Sequence, residues 1–159
     1  MLRRGLLLLF LALLLLAAGA TVALYHFSLS ALNEPGRVET YLATKAKFWI
    51  ISRSARGPLP TAPPYDARSV GIGQMAYGGE CANCHGVDGR TPTDIGRWMY
   101  PRTLALDSAQ VQQWSDAELF WIVKNGIRLS GMPGFGKIHK DEQIWHLVHY
   151  VRSLGTPPR

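Results

Sequence analysis

The sequence predicts an all-α protein in three parts: a long apolar N-terminal helix, a basic spacer helix with a proline-rich linker, and a small helical domain. Three observations predict it. One run near the N-terminus is long, apolar and uncharged. Later segments repeat apolar residues at three- and four-residue spacing, the period of a helix. A cluster of prolines separates those segments into two groups. With 159 residues the chain holds at most one ordinary domain plus extensions. Hydrophobic residues make up 47% and charged residues 18%, which excludes a disordered chain. Two cysteines are too few for a disulfide-rich scaffold or a four-cysteine zinc site.

The first part, residues 1–27, is expected to be a membrane anchor. From Gly5 to Leu24, 17 of 20 residues are Ala, Val, Leu or Phe and none is charged. As a helix that run is roughly 30 Å long, the thickness of a bilayer's hydrocarbon core. Arg3 and Arg4 precede it, and the positive-inside rule keeps them in the cytoplasm, so the chain beyond the run is extracytoplasmic. Ala18-Gly19-Ala20 resembles a signal-peptide cleavage site. The apolar run is longer than an ordinary signal core and continues past that site through Val22, Ala23 and Leu24, which favours an uncleaved anchor.

The second part, residues 28–64, contains a helix from Arg37 to Arg56. Val38, Tyr41, Leu42, Ala46, Phe48 and Trp49 recur at helical spacing, and Arg37, Lys45, Lys47, Arg53 and Arg56 make the segment basic. Three roles fit: an interfacial helix on anionic lipid with Phe48 and Trp49 inserted, a docking helix for a partner, or a spacer packed on its own domain. Gly57 to Pro64 holds four prolines in eight residues and reads as an extended, semi-rigid linker outside any core.

The third part, residues 65–159, is the globular domain. Its first helix runs from Ala67 to about Gly78. Gly73 lies one turn before Tyr77, and a glycine there suggests a closely crossing helix. Next comes Cys81-Ala82-Asn83-Cys84-His85, a C-x-x-C-H motif. Two thiols three residues apart share one side of a tight turn, so both reach the vinyl groups of a single porphyrin while His85 stays under the iron. The motif is the attachment signature of haem c. The competing chemistries lack what they need. No second C-x-x-C exists for zinc, and no β-branched strand precedes Cys81 for a thioredoxin-like site.

Gly86 to Asp107 shows no regular period and reads as a loop round one haem edge. A carbonyl in it, Pro101 by preference, is expected to hold the second ring nitrogen of His85. Arg97, Trp98, Tyr100 and Arg102 are either donors to the haem propionates or ordinary loop residues.

A second domain helix is expected over Asp116–Asn125, opened by the capping box Ser115…Glu118 and stopped by Gly126. The loop Ser130–Gly136 then offers Met132 as second axial ligand. Its thioether is a soft donor, its glycines allow close backbone approach, and Pro133 stiffens the loop. Met75, Met99, His139, His146 and His149 are the rivals. Met75 is expected to be a buried core residue. The last helix runs from Asp141 to Leu154, with Ile144, Leu147, Val148, Val151 and Leu154 as its apolar face. His146 and His149 on it are expected to face solvent, and Trp121 and Trp145 look exposed.

From Ala67 to Leu154 the chain resembles a class I, single-haem cytochrome c of the membrane-anchored bacterial type. The residues that carry the likeness are Cys81 to Gly86, the Gly73/Tyr77 pair, Gly131-Met132-Pro133 and the terminal segment Leu147 to Leu154. The resemblance implies an all-α fold wrapped round one covalent haem c, iron ligated by His85 and Met132, and Cys81 and Cys84 as thioether anchors. It implies one-electron transfer in a respiratory chain, with no catalytic residue. Its partners are redox proteins: a membrane oxidase, reductase or dehydrogenase complex. The expected location is the cytoplasmic (inner) membrane, single-pass, with the haem domain on the periplasmic side. Two alternatives remain. One is a haem enzyme or gas sensor with Met132 off the iron. The other is a dedicated subunit of a respiratory complex, with the anchor and the basic helix as assembly surfaces; the Phe48/Trp49 helix and the exposed-looking Trp121 and Trp145 are compatible with it.

The formal charge of +6 first suggests nucleic acid or an anionic membrane. Its distribution decides between them. Residues 1–27 carry +2, residues 28–68 carry +3 and the remainder +1. The positive charge therefore belongs to membrane topology and to the spacer, and no nucleic acid partner is expected.

Overall fold

The computed structural model describes residues 2–26, 28 and 30–155, and divides the chain into two units at Asn33/Glu34. Among the described residues every regular element is helical. The first unit is one helix, α1 (Leu2–His26), long and apolar enough to cross a membrane.

The second unit holds α2 (Arg37–Ser54), α3 (Ala67–Glu80), α4 (Ala82–His85), α5 (Asp94–Trp98), α6 (Ala109–Gln112), α7 (Asp116–Asn125) and α8 (Asp141–Leu154). The crossing of α3 with α8 is its centre. Ser69, Gly73 and Tyr77 recur every four residues on α3 and form its buried stripe. At Gly73 the helices touch backbone to backbone, as its position one turn before Tyr77 suggests. A Cβ there would lie 2.0 Å from the His146 carbonyl oxygen. Tyr77, Ile144, Leu147 and Val148 are the most deeply buried large side chains.

Local signals set the helix ends. The Asp66 carboxylate accepts the Ser69 amide and caps α3. The reciprocal bonds of Ser115 and Glu118 open α7, and Gly126 ends it at φ +70°. Arg152 near the end of α8 reaches Asp116 at 2.6 Å and the Gln112 carbonyl at 3.0 Å, tying α8 to α6 and α7.

The basic helix α2 packs on the same unit. Phe48 stacks on Trp114 with ring centroids 4.0 Å apart, Ile51 and Ala55 are buried, and the Ser52 hydroxyl donates to Glu118. Trp49 points outward, so of the pair that the lipid-facing role would insert only Trp49 is exposed, while Phe48 packs on the domain as the spacer role has it.

Four expectations are corrected. Met75 is exposed, because it sits two residues past Gly73 and so on the side of α3 away from α8. Trp145 is buried, and its indole N–H donates to the Pro60 carbonyl at 3.1 Å, so the proline segment lies against the domain there. His146 and His149 are buried and share the Ser69 hydroxyl, at 2.7 and 2.6 Å from their Nδ1 atoms. The stretch read as pure loop contains α5, capped by the Thr93 hydroxyl on the Gly96 amide.

Candidate cofactor site

Cys81 ends α3 and starts the next turn. Its carbonyl accepts the amides of Cys84 at 3.1 Å and His85 at 2.9 Å, which folds the five-residue motif into a single helical turn. Both cysteines are free and half-buried. Gly86 closes the turn at φ +81°, a conformation that costs glycine little. A side chain there would also strike the Thr91 carbonyl, at 2.0 Å. The Tyr77 hydroxyl donates to the Gly86 carbonyl, so the core of α3 reaches the end of the motif directly.

α5 buttresses this turn from outside. Thr93 donates through its amide to the Cys84 carbonyl at 3.1 Å and through its hydroxyl to the Asn83 carbonyl at 2.7 Å. Gly96 packs on the Cys84 carbonyl, where a Cβ would lie 2.3 Å from the oxygen. The segment after α5 is strapped back by Thr103 N–H to Gly96 O at 2.9 Å and Leu106 N–H to Gly89 O at 2.7 Å.

Those straps present the Leu104 carbonyl to His85, whose Nδ1 lies 2.9 Å away. The expected acceptor, Pro101, is replaced by Leu104, since the straps at residues 103 and 106 aim the carbonyl between them. Every residue carries a carbonyl, so sequence holds no signal that singles out Leu104. The bond fixes the tautomer: Nδ1 carries the proton and donates, and Nε2 keeps its lone pair. Burial holds the imidazole below its ordinary pKa, against a smaller upward pull from the Leu104 bond. The ring is thus neutral at pH 7, as a metal ligand must be. The Cys81 thiol is pushed up to about 12, first by burial and then by Glu80 and Cys84.

Met132 is half-buried and packs against the main hydrophobic cluster, as does Cys81. Its loop is laid along the end of α7. Ile127 N–H reaches the Met132 carbonyl at 3.2 Å, Phe135 N–H reaches Val123 O at 3.0 Å, and Gly136 N–H reaches Lys124 O at 2.8 Å. Gly126 faces Met132, Pro133 and Gly134 so closely that a Cβ would stand 2.6–2.7 Å from their backbone atoms.

The rivals of Met132 have their own neighbours. Met99 packs its sulfur on Gly131, and the Thr103 hydroxyl lies 3.6 Å from that sulfur. His139 binds Glu80 through Nε2 at 2.5 Å. His146 and His149 are held by Ser69. Three of the four candidate propionate donors have protein partners: Arg97 binds Asp94, Arg102 binds Glu34 and Tyr100 binds Glu39. Among the described residues no group of three or more His, Cys, Asp or Glu is arranged to hold a metal ion. The donor set expected from the sequence is two thiols and a neutral imidazole on one turn, with a soft thioether from the Met132 loop. Its chemistry fits haem c and does not fit a simple divalent cation.

The model of the family described as cytochrome C oxidase, cbb3-type, subunit III matches residues 69–151. Among solved structures, a chain of the Kuenenia stuttgartiensis reducing HAO-like protein complex Kustc0457/Kustc0458 is similar at 24% identity. The match covers 64% of this chain and 52% of that one, with a TM-score of 0.52. The chain therefore spans about half the length of that neighbour, and the likeness is one of fold. A structure titled KustC0563 c-type cytochrome is similar at 29% identity over 53% of this chain and 98% of that one, with a TM-score of 0.47. No curated protein matches.

Proposed function

We propose a function from one premise: the chain belongs to the family of cytochrome c oxidase, cbb3-type, subunit III. It is a c-type cytochrome domain that carries covalently bound haem c and transfers electrons between redox proteins. Beyond that, we read it as a single-haem, His/Met-ligated carrier, tethered to the cytoplasmic membrane by residues 1–27 and serving a respiratory chain on the periplasmic side. Residues 28–64 are its basic helix and linker, and residues 65–159 its haem domain.

The observation that carries this reading is the His85–Leu104 bond beside two free thiols on one turn. Cys81 and Cys84 would form the thioethers, His85 Nε2 would be the proximal ligand and Met132 the distal one. Bound there, haem iron supplies a reversible one-electron couple, whose potential methionine ligation raises. The chain's own residues do the rest. Leu104 fixes the imidazole, α5 and Tyr77 fix the turn, and α7 fixes the methionine loop, so little moves when the charge changes. The fold needs no substrate site at the metal and no catalytic residue. Tethering raises the effective concentration of the domain near a membrane partner to the millimolar range.

The family's description favours a second reading, a fixed subunit of a membrane oxidase. Native size analysis after mild-detergent extraction separates the two: a lone carrier migrates near its own mass of 17.6 kDa plus detergent. The carrier reading itself is tested by adding carbon monoxide to the reduced full-length protein. An unchanged spectrum is expected, because His85 and Met132 would leave carbon monoxide no open position on the iron. A carbon monoxide complex would show a vacant position and would support a gas-binding or enzymatic role.

A further inference from the structure

The helix α2 has two faces of different character. Phe48, Ile51 and Ala55 are turned to the haem domain. Val38, Leu42, Lys45, Trp49 and Arg53 succeed one another at spacings of three and four, so they form one stripe on the side opposite Ile51. All five are exposed, Trp49 at 64%. Arg56, exposed, lies in the turn after the helix.

The stripe carries no carboxylate. The single acid of α2, Glu39, accepts from Tyr100, and Glu34 just before the helix binds Arg102. The cations are also placed on aromatics: the Arg53 guanidinium lies 5.5 Å from the Trp49 ring centre and the Lys45 ammonium 5.8 Å from that of Tyr41. A protein interface gathers apolar residues at its centre and charges at its rim. Here Val38 and Leu42 lead the line and the cations Lys45 and Arg53 flank Trp49 on it, with no charged rim around an apolar centre, which suits a flat layer with an apolar interior and an anionic skin. Indole settles at the headgroup level, branched side chains enter the acyl boundary, and cations meet lipid phosphates. Ten residues separate His26 from Arg37, a reach of at most about 35 Å.

We propose that the outer stripe of α2 lies on the anionic headgroup layer of the membrane that α1 spans, and so sets which side of the haem domain faces the bilayer. The Phe48–Trp114 stack and the Ser52–Glu118 bond carry that orientation into the domain. The proposal rests on the anchor reading for the nearness of the membrane, and its test scores the anchor separately.

Full-length holoprotein is reconstituted into phosphatidylcholine liposomes with and without added phosphatidylglycerol, and oxidation of Trp49 by hydroxyl radicals is tracked by peptide mass analysis. In the anionic liposomes Trp49 oxidation should fall about fivefold relative to the neutral ones. High salt should reverse the fall. So should Lys45→Glu combined with Arg53→Glu and Arg56→Glu, with the haem spectrum unchanged. Equal oxidation in both liposomes overturns the proposal. So does protection seen in native membranes and missing from anionic liposomes, which would assign the stripe to a protein partner. Flotation with neutral liposomes reports on α1 alone: a chain that fails to float there and still shows anionic protection of Trp49 contradicts the anchor and upholds the stripe.

Discussion

Gly73 of α3 and His146 of α8 meet backbone to backbone, with no room between them for a single methyl group. A Cβ on Gly73 would stand 2.0 Å from the His146 carbonyl oxygen and 2.6 Å from its carbon. Neither atom belongs to a side chain that can swing away. Gly73→Ala should therefore destabilise the protein by about 3 kcal/mol, the upper end of ordinary overpacking. Gly71 is the matched control, since a Cβ there meets nothing within 4 Å. Gly71→Ala should be neutral or stabilising by up to about 1 kcal/mol through helix propensity. Guanidinium midpoints of the holoproteins measure both.

The docking of α2 makes a second prediction. Phe48 stacks on Trp114 and Ile51 is 3% exposed, so removing this helix bares apolar surface on α7 and its neighbours. Phe48→Ala should cost about 2 kcal/mol, less than a fully buried phenylalanine because Phe48 is half-buried. A chain beginning at Tyr65 should be less stable than one beginning at Glu34 by about 2–4 kcal/mol. Thermal unfolding of the two fragments tests this, and equal stability would mean that α2 contributes no packing energy.

A third prediction concerns pH. His149 is held below its ordinary pKa of 6.5, first by burial and then by the charge of His146, while Asp116 and Asp66 pull it upward. Glu142 lies 4.0 Å from His146 on the other side. A base with a depressed folded pKa binds its proton more readily in the unfolded chain. Stability is then unaffected well above 6.5 and is lost as pH falls through 6.5 toward the folded value. The denaturation midpoint of the holoprotein should drop between about pH 7.5 and about pH 5.5, and His149→Gln should flatten that slope. An unchanged slope in the variant would contradict the assignment to His149.

Removing both thiols tests the attachment site. Cys81→Ala combined with Cys84→Ala should leave no haem on the protein after acid–acetone extraction, while the wild type keeps all of it. Haem retained by the double variant would contradict thioether bonding at these positions.

What sequence revealed and what it hid have different physical origins. Signals that act within a few residues were readable: the capping box of Ser115 and Glu118, the stop at Gly126, and the stripe of Ile144, Leu147, Val148, Val151 and Leu154, all buried. So was the close crossing at Gly73, because a glycine inside a helix needs a reason. Relationships between distant segments were hidden. His146 and His149 look solvent-facing until Ser69, 77 residues before His146, supplies a shared partner. Trp145 looks exposed until the Pro60 carbonyl arrives over it. α5 has five residues, too few to show a period. At the site, the thiols and His85 announce their chemistry through spacing. The acceptor for His85 is a carbonyl aimed by neighbouring straps, and no residue type marks it.

The central claim is a haem iron held between His85 and Met132, and the ferric absorption spectrum of the full-length protein tests it most directly. The wild type should be low-spin and show the far-red charge-transfer band of methionine-ligated ferric haem. Met132→Ala should abolish that band, and Met99→Ala should leave it intact. A high-spin wild type, or a band that survives Met132→Ala and vanishes with Met99→Ala, would contradict the account.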